Sequence, residues 1–195
     1  MTPQTIILFG PSGSGKGTQA NLLIEYLKAN DKRDVLYLET GQRFRDFSQE
    51  ASLSAKKTKQ IMQAGGLLPE FLPIWIWTEY LVRHVSGDEH MILDGLSRRS
   101  HEAPILDSAM KFYDRQSPCV VSIEVSKEWA KDRLLGRGRS DDNGKDIDSR
   151  INWYYENVIP AIEYFKNNSY YTVHTIDGEQ SIEDVHNDII KALGV

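Results

Sequence analysis

Five short apolar runs punctuate the chain: Thr5 to Phe9, Val35 to Leu38, His90 to Leu93, Val120 to Val125 and Tyr171 to Ile176. Each is rich in β-branched or aromatic residues, and none alternates cleanly with polar positions. Strands covered on both faces of a parallel sheet read this way. Longer stretches between them predict helices over Lys16 to Ala29, Glu70 to Val85, Ser100 to Gln116, Lys127 to Leu135, Asp146 to Lys166 and Ser181 to Leu193. The first carries Leu22, Leu23, Tyr26 and Leu27 at helical spacing. Strands alternating with helices predict an α/β layered fold with right-handed crossovers. The crossover from Thr40 to Glu89 is unusually long and predicts a small inserted subdomain with several helices of its own. A polar stretch, Gly136-Arg137-Gly138-Arg139-Ser140-Asp141-Asp142-Asn143-Gly144, interrupts the helices late in the chain and reads as a mobile surface loop.

Composition narrows the class. A chain of 195 residues suits one domain, 1–195, with a sizeable core. The formal charge of −5 argues against a nucleic-acid partner, which would need a basic groove. Cys119 is the single cysteine, so no intrachain disulfide and no cysteine-based zinc site is expected; a buried, inert thiol is. No run approaches the roughly 20 apolar residues of a membrane span, and the first residues carry no basic leader, so the cytoplasm is the expected location. His84, His90, His101, His174 and His186 lack metal spacing and read as structural or surface residues. Trp75, Trp77, Trp129 and Trp153 read as packing residues, with Trp75 and Trp77 pointing to different sides of one helix.

The segment Gly10-Pro11-Ser12-Gly13-Ser14-Gly15-Lys16-Gly17-Thr18 follows the first strand and opens a helix, the context a phosphate loop requires. Glycines let successive backbone N–H groups turn toward phosphate oxygens, and the helix N-terminus adds a positive dipole end. Lys16 then reaches the outer phosphates, and Thr18 can hold a water or Mg²⁺ beside them.

Gly17 separates Lys16 from Thr18, whereas most such loops place Ser or Thr directly after the Lys. In this the chain resembles the nucleoside monophosphate kinases, and the resemblance continues in order. Thr40-Gly41-Gln42-Arg43-Phe44-Arg45 is similar to the family's Thr-Gly-Asp-x-x-Arg, with Gln42 for Asp; Gly65-Gly66-Leu67-Leu68-Pro69 is similar to its Gly-x-Leu-Val-Pro. Leu93-Asp94-Gly95-Leu96-Ser97-Arg98 is similar to Leu-Asp-Gly-Phe-Pro-Arg, with Leu96 and Ser97 as departures. Arg133, Arg137, Arg139 through Asn143, and Arg150 match its late arginines, and Tyr154 to Pro160 with Asp177-Gly178 match its closing pattern. The match is to the adenylate kinase family, of the short-lid type, since Gly138 alone separates Arg137 from Arg139.

That resemblance implies a P-loop three-layer fold with a five-stranded parallel sheet in the order 2-3-1-4-5, an acceptor-nucleotide insert over about 40–70, and a very short lid over about 136–143. It implies transfer of the γ-phosphoryl group of MgATP to a nucleoside monophosphate, AMP first among them, with Mg²⁺ as cofactor, nucleotides as partners and a monomeric state. Lys16, Arg98, Arg137, Arg139 and Arg150 are the catalytic residues it implies. Gly13, Ser14, Gly15, Lys16, Gly17, Thr18, Arg133 and Arg137 would hold ATP, Arg133 by stacking on its base. Thr40, Gly41, Arg45, Leu68, Gly95, Arg98 and Glu102 would hold the acceptor. Asp94 and Thr18 would orient Mg²⁺ through its waters. Arginine suits these roles because it stays charged and binds phosphate bidentately. Arg43 and Arg99 match no family role and read as surface charges. Asp141 and Asp142 read either as carboxylates that fix the arginines or as helix N-cap groups.

Glu102 is the most informative departure. Ala103 and Leu106 keep the family's register, so Glu102 stands where the family has a Gln that reads the acceptor adenine. An amide donates and accepts; an ionised carboxylate only accepts. Glu102 is therefore expected to weaken the adenine preference and admit GMP, with Glu102→Gln favouring AMP; alternatively it supplies only first-turn helix charge. Other readings remain: a kinase for GMP, CMP or UMP, a P-loop hydrolase, or a nucleotide-binding protein without transferase activity. No Asn-Lys-x-Asp base-reading motif supports the hydrolase.

Overall fold

The computed structural model describes residues 1–137 and 144–195, with the backbone alone for residues 137 and 144–146. The expected strands form β1 (Thr5–Phe9), β2 (Val35–Glu39), β3 (His90–Asp94), β4 (Cys119–Glu124) and β5 (Thr172–Asp177). They make one five-stranded sheet in the order β2-β3-β1-β4-β5, parallel throughout, as the resemblance implied. Along β1 successive side chains face opposite sides. Ile7 and Phe9 enter a cluster with Trp77, Leu106, Met110 and Phe165, while Ile6 and Leu8 enter another with Leu23, Leu27, Val185 and Ile189. This two-sided burial is why the central strands show no polar alternation. The edge strands β2 and β5 are only partly covered.

The helices are α1 (Lys16–Asn30), α2 (Thr40–Phe47), α3 (Leu53–Gln63), α4 (Phe71–His84), α5 (Ala103–Phe112), α6 (Lys127–Arg137), α7 (Gly144–Trp153), α8 (Ile159–Lys166) and α9 (Ile182–Leu193). The long crossover holds α2, α3 and α4, which pack on one another through Phe44, Phe47, Ala55, Leu72 and Ile76. Trp77 is buried and Trp75 is half-exposed on the other side of α4. Cys119 is buried, which pushes its thiol up to about 12.

Two helix expectations need correction. The helix expected over 100–116 spans only Ala103–Phe112, so Glu102 precedes its first turn. The helix expected over 146–166 is divided by a π turn at Tyr154–Val158. Pro160 has no N–H to donate to the carbonyl one α-turn back, so the ladder widens just before it. The buried Tyr154 and Val158 hold this wider turn against the core.

A buried polar network closes the N-terminal edge of the sheet. Arg115 is 3% exposed; its guanidinium donates to Thr5 Oγ1 (2.8 Å), the Glu89 carbonyl (2.7 Å) and the Gln4 carbonyl (3.2 Å). Beside it, buried His90 accepts the Gln4 N–H at Nδ1 (3.0 Å), and its Nε2 lies 3.5 Å from Asp31 Oδ2.

Candidate active site

The phosphate loop lies between the C-terminal end of β1 and the N-terminus of α1, where parallel α/β sheets place their ligands. Gly10, Gly13 and Gly15 all have positive φ. A Cβ on Gly13 would lie 2.5 Å from the Ala130 carbonyl oxygen, so only glycine lets the loop rest on the backbone of α6. Among the described residues, a Cβ on Gly17 would meet nothing within 4 Å. No acidic residue occupies the first turn of α1, so its positive end is uncompensated there. Lys16 Nζ donates to the carbonyls of Gly10 (2.7 Å) and Pro11 (3.0 Å) and is thereby folded along the loop it serves. Ser14 is buried and Thr18 is exposed at the first turn.

Opposite the loop, Asp94 ends β3 in register with Leu8 of β1 and Glu39 of β2. Burial pushes the Asp94 carboxyl up; Lys16, Arg98 and, more weakly, the Tyr37 hydroxyl pull it back down, while Glu39 opposes them. After Asp94 the chain turns through Gly95 (φ 77) and Ser97 (φ 52), with Leu96 and Ser97 both buried. The Arg98 guanidinium folds over Gly95, with Nε 3.8 Å from where a Cβ would stand. Arg98 is exposed, yet the protein packed round it lowers its guanidinium below the usual arginine range; Arg150 adds to this, while Asp94 and Glu102 oppose it. Arg150 in turn donates from Nη2 to Ser12 Oγ at 3.2 Å, which brings α7 onto the phosphate loop. Lys16, Asp94, Arg98 and Arg150 are thus gathered at one edge of the sheet.

The other expected residues fall around this centre. Thr40 and Gly41 open α2 directly after β2, and Thr40 is buried. Arg45 Nη2 donates to Glu39 Oε1 (2.8 Å) and to Gln42 Oε1 (2.8 Å), so the Gln42 departure holds this arginine in place. Leu68 lies in the loop between α3 and α4. Glu102 is 1% exposed, and its Oε2 accepts the Arg98 backbone N–H at 3.0 Å. It therefore braces the turn that carries Arg98, in addition to any role toward a base. The Arg133 guanidinium carbon lies 5.0 Å from the Trp129 ring centre on exposed α6 surface. The side chain of Arg137 and all of Arg139, Asp141, Asp142 and Asn143 lie outside the described residues, as does most of the expected lid.

Arg99 is not the surface charge its sequence suggested. Its side chain is 15% exposed, and it contacts Glu102, Leu68 and Trp153. Arg43 is half-buried over the Tyr80 ring, 3.8 Å from its centre. Glu39 was also missed. It ends a parallel strand at the C-terminal edge, and an acidic residue at such a position is the signal that would have found it. Thr18 and Asp94 are hard oxygen donors beside the loop, a set that suits Mg²⁺ held chiefly by phosphate oxygens and water.

The family model described as adenylate kinase matches residues 8–170. An adenylate kinase of Corynebacterium urealyticum is 31% identical over 192 residues, covering 96% of this chain and 98% of its own. One of Leptospira biflexa is 32% identical over 192 residues, covering 96% and 98%. One of Prochlorococcus marinus is 31% identical over 188 residues, covering 96% and 97%. With the phosphate loop, the strand order and these full-length matches in agreement, the chain belongs to the adenylate kinase family and is a phosphotransferase, a nucleoside monophosphate kinase.

Proposed function

We propose that the protein transfers the γ-phosphoryl group of MgATP to AMP, giving two ADP. The observation that carries this is the convergence of Lys16, Arg98 and Arg150 around Asp94 and the phosphate loop. An oxygen of the AMP phosphate attacks the γ-phosphorus, and the bond from that phosphorus to the β–γ bridging oxygen breaks. The acceptor phosphate arrives ionised, so no side chain need take a proton from it. The remaining task is to align two polyanions and neutralise charge as it spreads over the transferred group. Lys16 and the loop N–H groups serve the ATP phosphates. Arg45 and Arg98 hold the AMP phosphate, and Arg150, with Arg137 and Arg139, serves the group in transit. Thr18 and Asp94 would orient a Mg²⁺ ion bound with ATP, which would supply neutralising charge to the phosphates.

In this reading the segment 40–70 is the acceptor-binding insert, with Thr40, Gly41, Leu68, Gly95 and Glu102 toward the nucleoside. Segment 136–143 is a short lid, and Arg133 stacks on the ATP base. The names of the full-length relatives support AMP as the acceptor. The test is ATP with Mg²⁺ and each of AMP, GMP, CMP and UMP, scoring diphosphate formed against free phosphate released. ADP from AMP well ahead of the other products is expected. Free phosphate without any diphosphate would overturn the transferase reading.

A further inference from the structure

Arg99 reaches three separate parts of the fold with one side chain. Its Nη2 donates to the Leu68 carbonyl oxygen (3.4 Å), in the loop between α3 and α4. Its Nη1 lies 3.7 Å from Glu102 Oε1, just before α5. Its guanidinium carbon stands 5.6 Å from the ring centre of Trp153, the last residue of α7. The three groups form a row: the Glu102 carboxylate oxygen accepts, the Arg99 guanidinium donates, and the Leu68 carbonyl accepts. Glu102 cannot swing freely within this row, because its other oxygen, Oε2, is held by the Arg98 N–H at 3.0 Å. Burial pushes its carboxyl up, while that N–H and Arg99 hold it down.

We propose that Arg99 is a specificity-determining residue for the acceptor base: its guanidinium donates to adenine N1 while Glu102 Oε1 accepts from the N6 amine. This rests on the reading of Leu68 and Glu102 as acceptor-site residues. The carboxylate alone lacks the donor that N1 requires. The ion pair supplies it, so two side chains do together what one amide does alone. On this proposal Arg99 restores the adenine preference that Glu102 by itself is expected to loosen. Adenine presents donor, acceptor and C–H along its edge, in step with the row. Uracil presents acceptor, donor and acceptor, which opposes it at every position. Guanine presents acceptor, donor and donor, and meets the row only when displaced by one place.

The experiment pairs a change in the protein with deletion of one substrate atom. In 1-deaza-AMP a C–H replaces N1. The unaltered protein is expected to prefer AMP over 1-deaza-AMP by about 10-fold or more in kcat/KM, since a site built for a polar partner rejects the analogue lacking it. Arg99→Met is expected to lower kcat/KM for AMP and to bring that preference close to unity, with KM for ATP unchanged. Adding Glu102→Gln to Arg99→Met is expected to restore the preference, because the amide again both donates and accepts. A merely structural role would lower turnover of all four natural monophosphates alike and leave the N1 preference intact; that result, or a double variant no better than Arg99→Met, overturns the inference. The double variant carries no unpaired buried charge and keeps the comparison available if Arg99→Met folds poorly. Failure of the unaltered protein to phosphorylate any monophosphate would instead remove the acceptor-site reading beneath it.

Discussion

Arg150 on α7 donates a 3.2 Å hydrogen bond to the Ser12 hydroxyl of the phosphate loop, across a sequence separation of 138 residues. The contact sets a cationic side chain over the loop before any ligand arrives. Replacing Arg150, Arg137 or Arg139 by Met is expected to lower kcat by about 100-fold or more, as for loss of one preorganised donor. ATP binding measured alone is expected to change far less. Steady-state kinetics in which only KM for ATP moves would remove these arginines from the transferred group.

Lys16→Ala is expected to abolish transfer while the protein still folds, because Lys16 is half-buried and bonds to loop carbonyls that the rest of the phosphate loop already positions. Near-normal turnover with an unchanged melting curve would refute the assignment of the phosphate loop.

The two glycines Gly13 and Gly17 are expected to fail in opposite ways. Gly13 has φ 90, and a Cβ there would stand 2.5 Å from the Ala130 carbonyl oxygen, so Gly13→Ala is expected to lower the melting temperature. Gly17 lies in the first turn of α1, and no described residue stands within 4 Å of where its Cβ would be. Gly17→Ala is expected to leave stability equal or better, by up to about 1 kcal/mol from helix propensity, while weakening ATP binding. Thermal melts with and without ATP separate the two; a stable Gly17→Ala variant that binds ATP normally would show that the space has no ligand role.

A ligand in which two adenosines are joined by five phosphates is expected to bind far more tightly than ATP or AMP. One molecule then engages donor and acceptor sites together. Calorimetry giving an affinity no better than that of ATP would argue against a second nucleotide site.

His90 makes stability depend on pH. Its Nδ1 accepts the Gln4 N–H, so the ring is neutral with its proton on Nε2, facing Asp31. Burial lowers its pKa; Asp31 opposes this, while Arg33 and Arg115 add to it. The unfolded chain takes up a proton as pH falls through about 6.5, and the folded chain resists, so stability drops as pH falls from there toward the lower folded value. His186 is shifted in the same direction by burial and adds to the slope. His90→Asn keeps an acceptor for the Gln4 N–H and removes the titration. Denaturant melts between pH 5 and 8 are expected to show a shallower slope in that variant, and an equal slope would clear His90 of the effect.

Features built from neighbouring residues were legible in the sequence. Gly10 to Thr18 announces its own loop, and Thr5–Phe9 and His90–Asp94 announce buried strands because both their faces are covered. Features built from residues far apart were not. Arg115 falls within the helix expected over 100–116, yet the chain leaves α5 at Phe112 and carries Arg115 to Glu89 and Thr5. Arg99 misled for the same reason: its partners Leu68 and Trp153 are remote in sequence, and nothing local marks an arginine whose contacts are tertiary. The π turn at Tyr154–Val158 had a local cause in Pro160, but periodicity alone does not register one widened turn.

Strand β3 carries His90 at one end and Asp94 at the other. Four residues of extended chain separate them by about 13 Å, and each answers to its own charged neighbours: Asp31, Arg33 and Arg115 at His90, Lys16, Arg98 and Glu39 at Asp94. The two ends of one strand therefore lend themselves to separate tuning. Thermal or acid tolerance can be engineered at the His90, Arg115 and Glu89 end through partners that the phosphate-handling end does not share, so a laboratory selection for robustness has a place of its own to act.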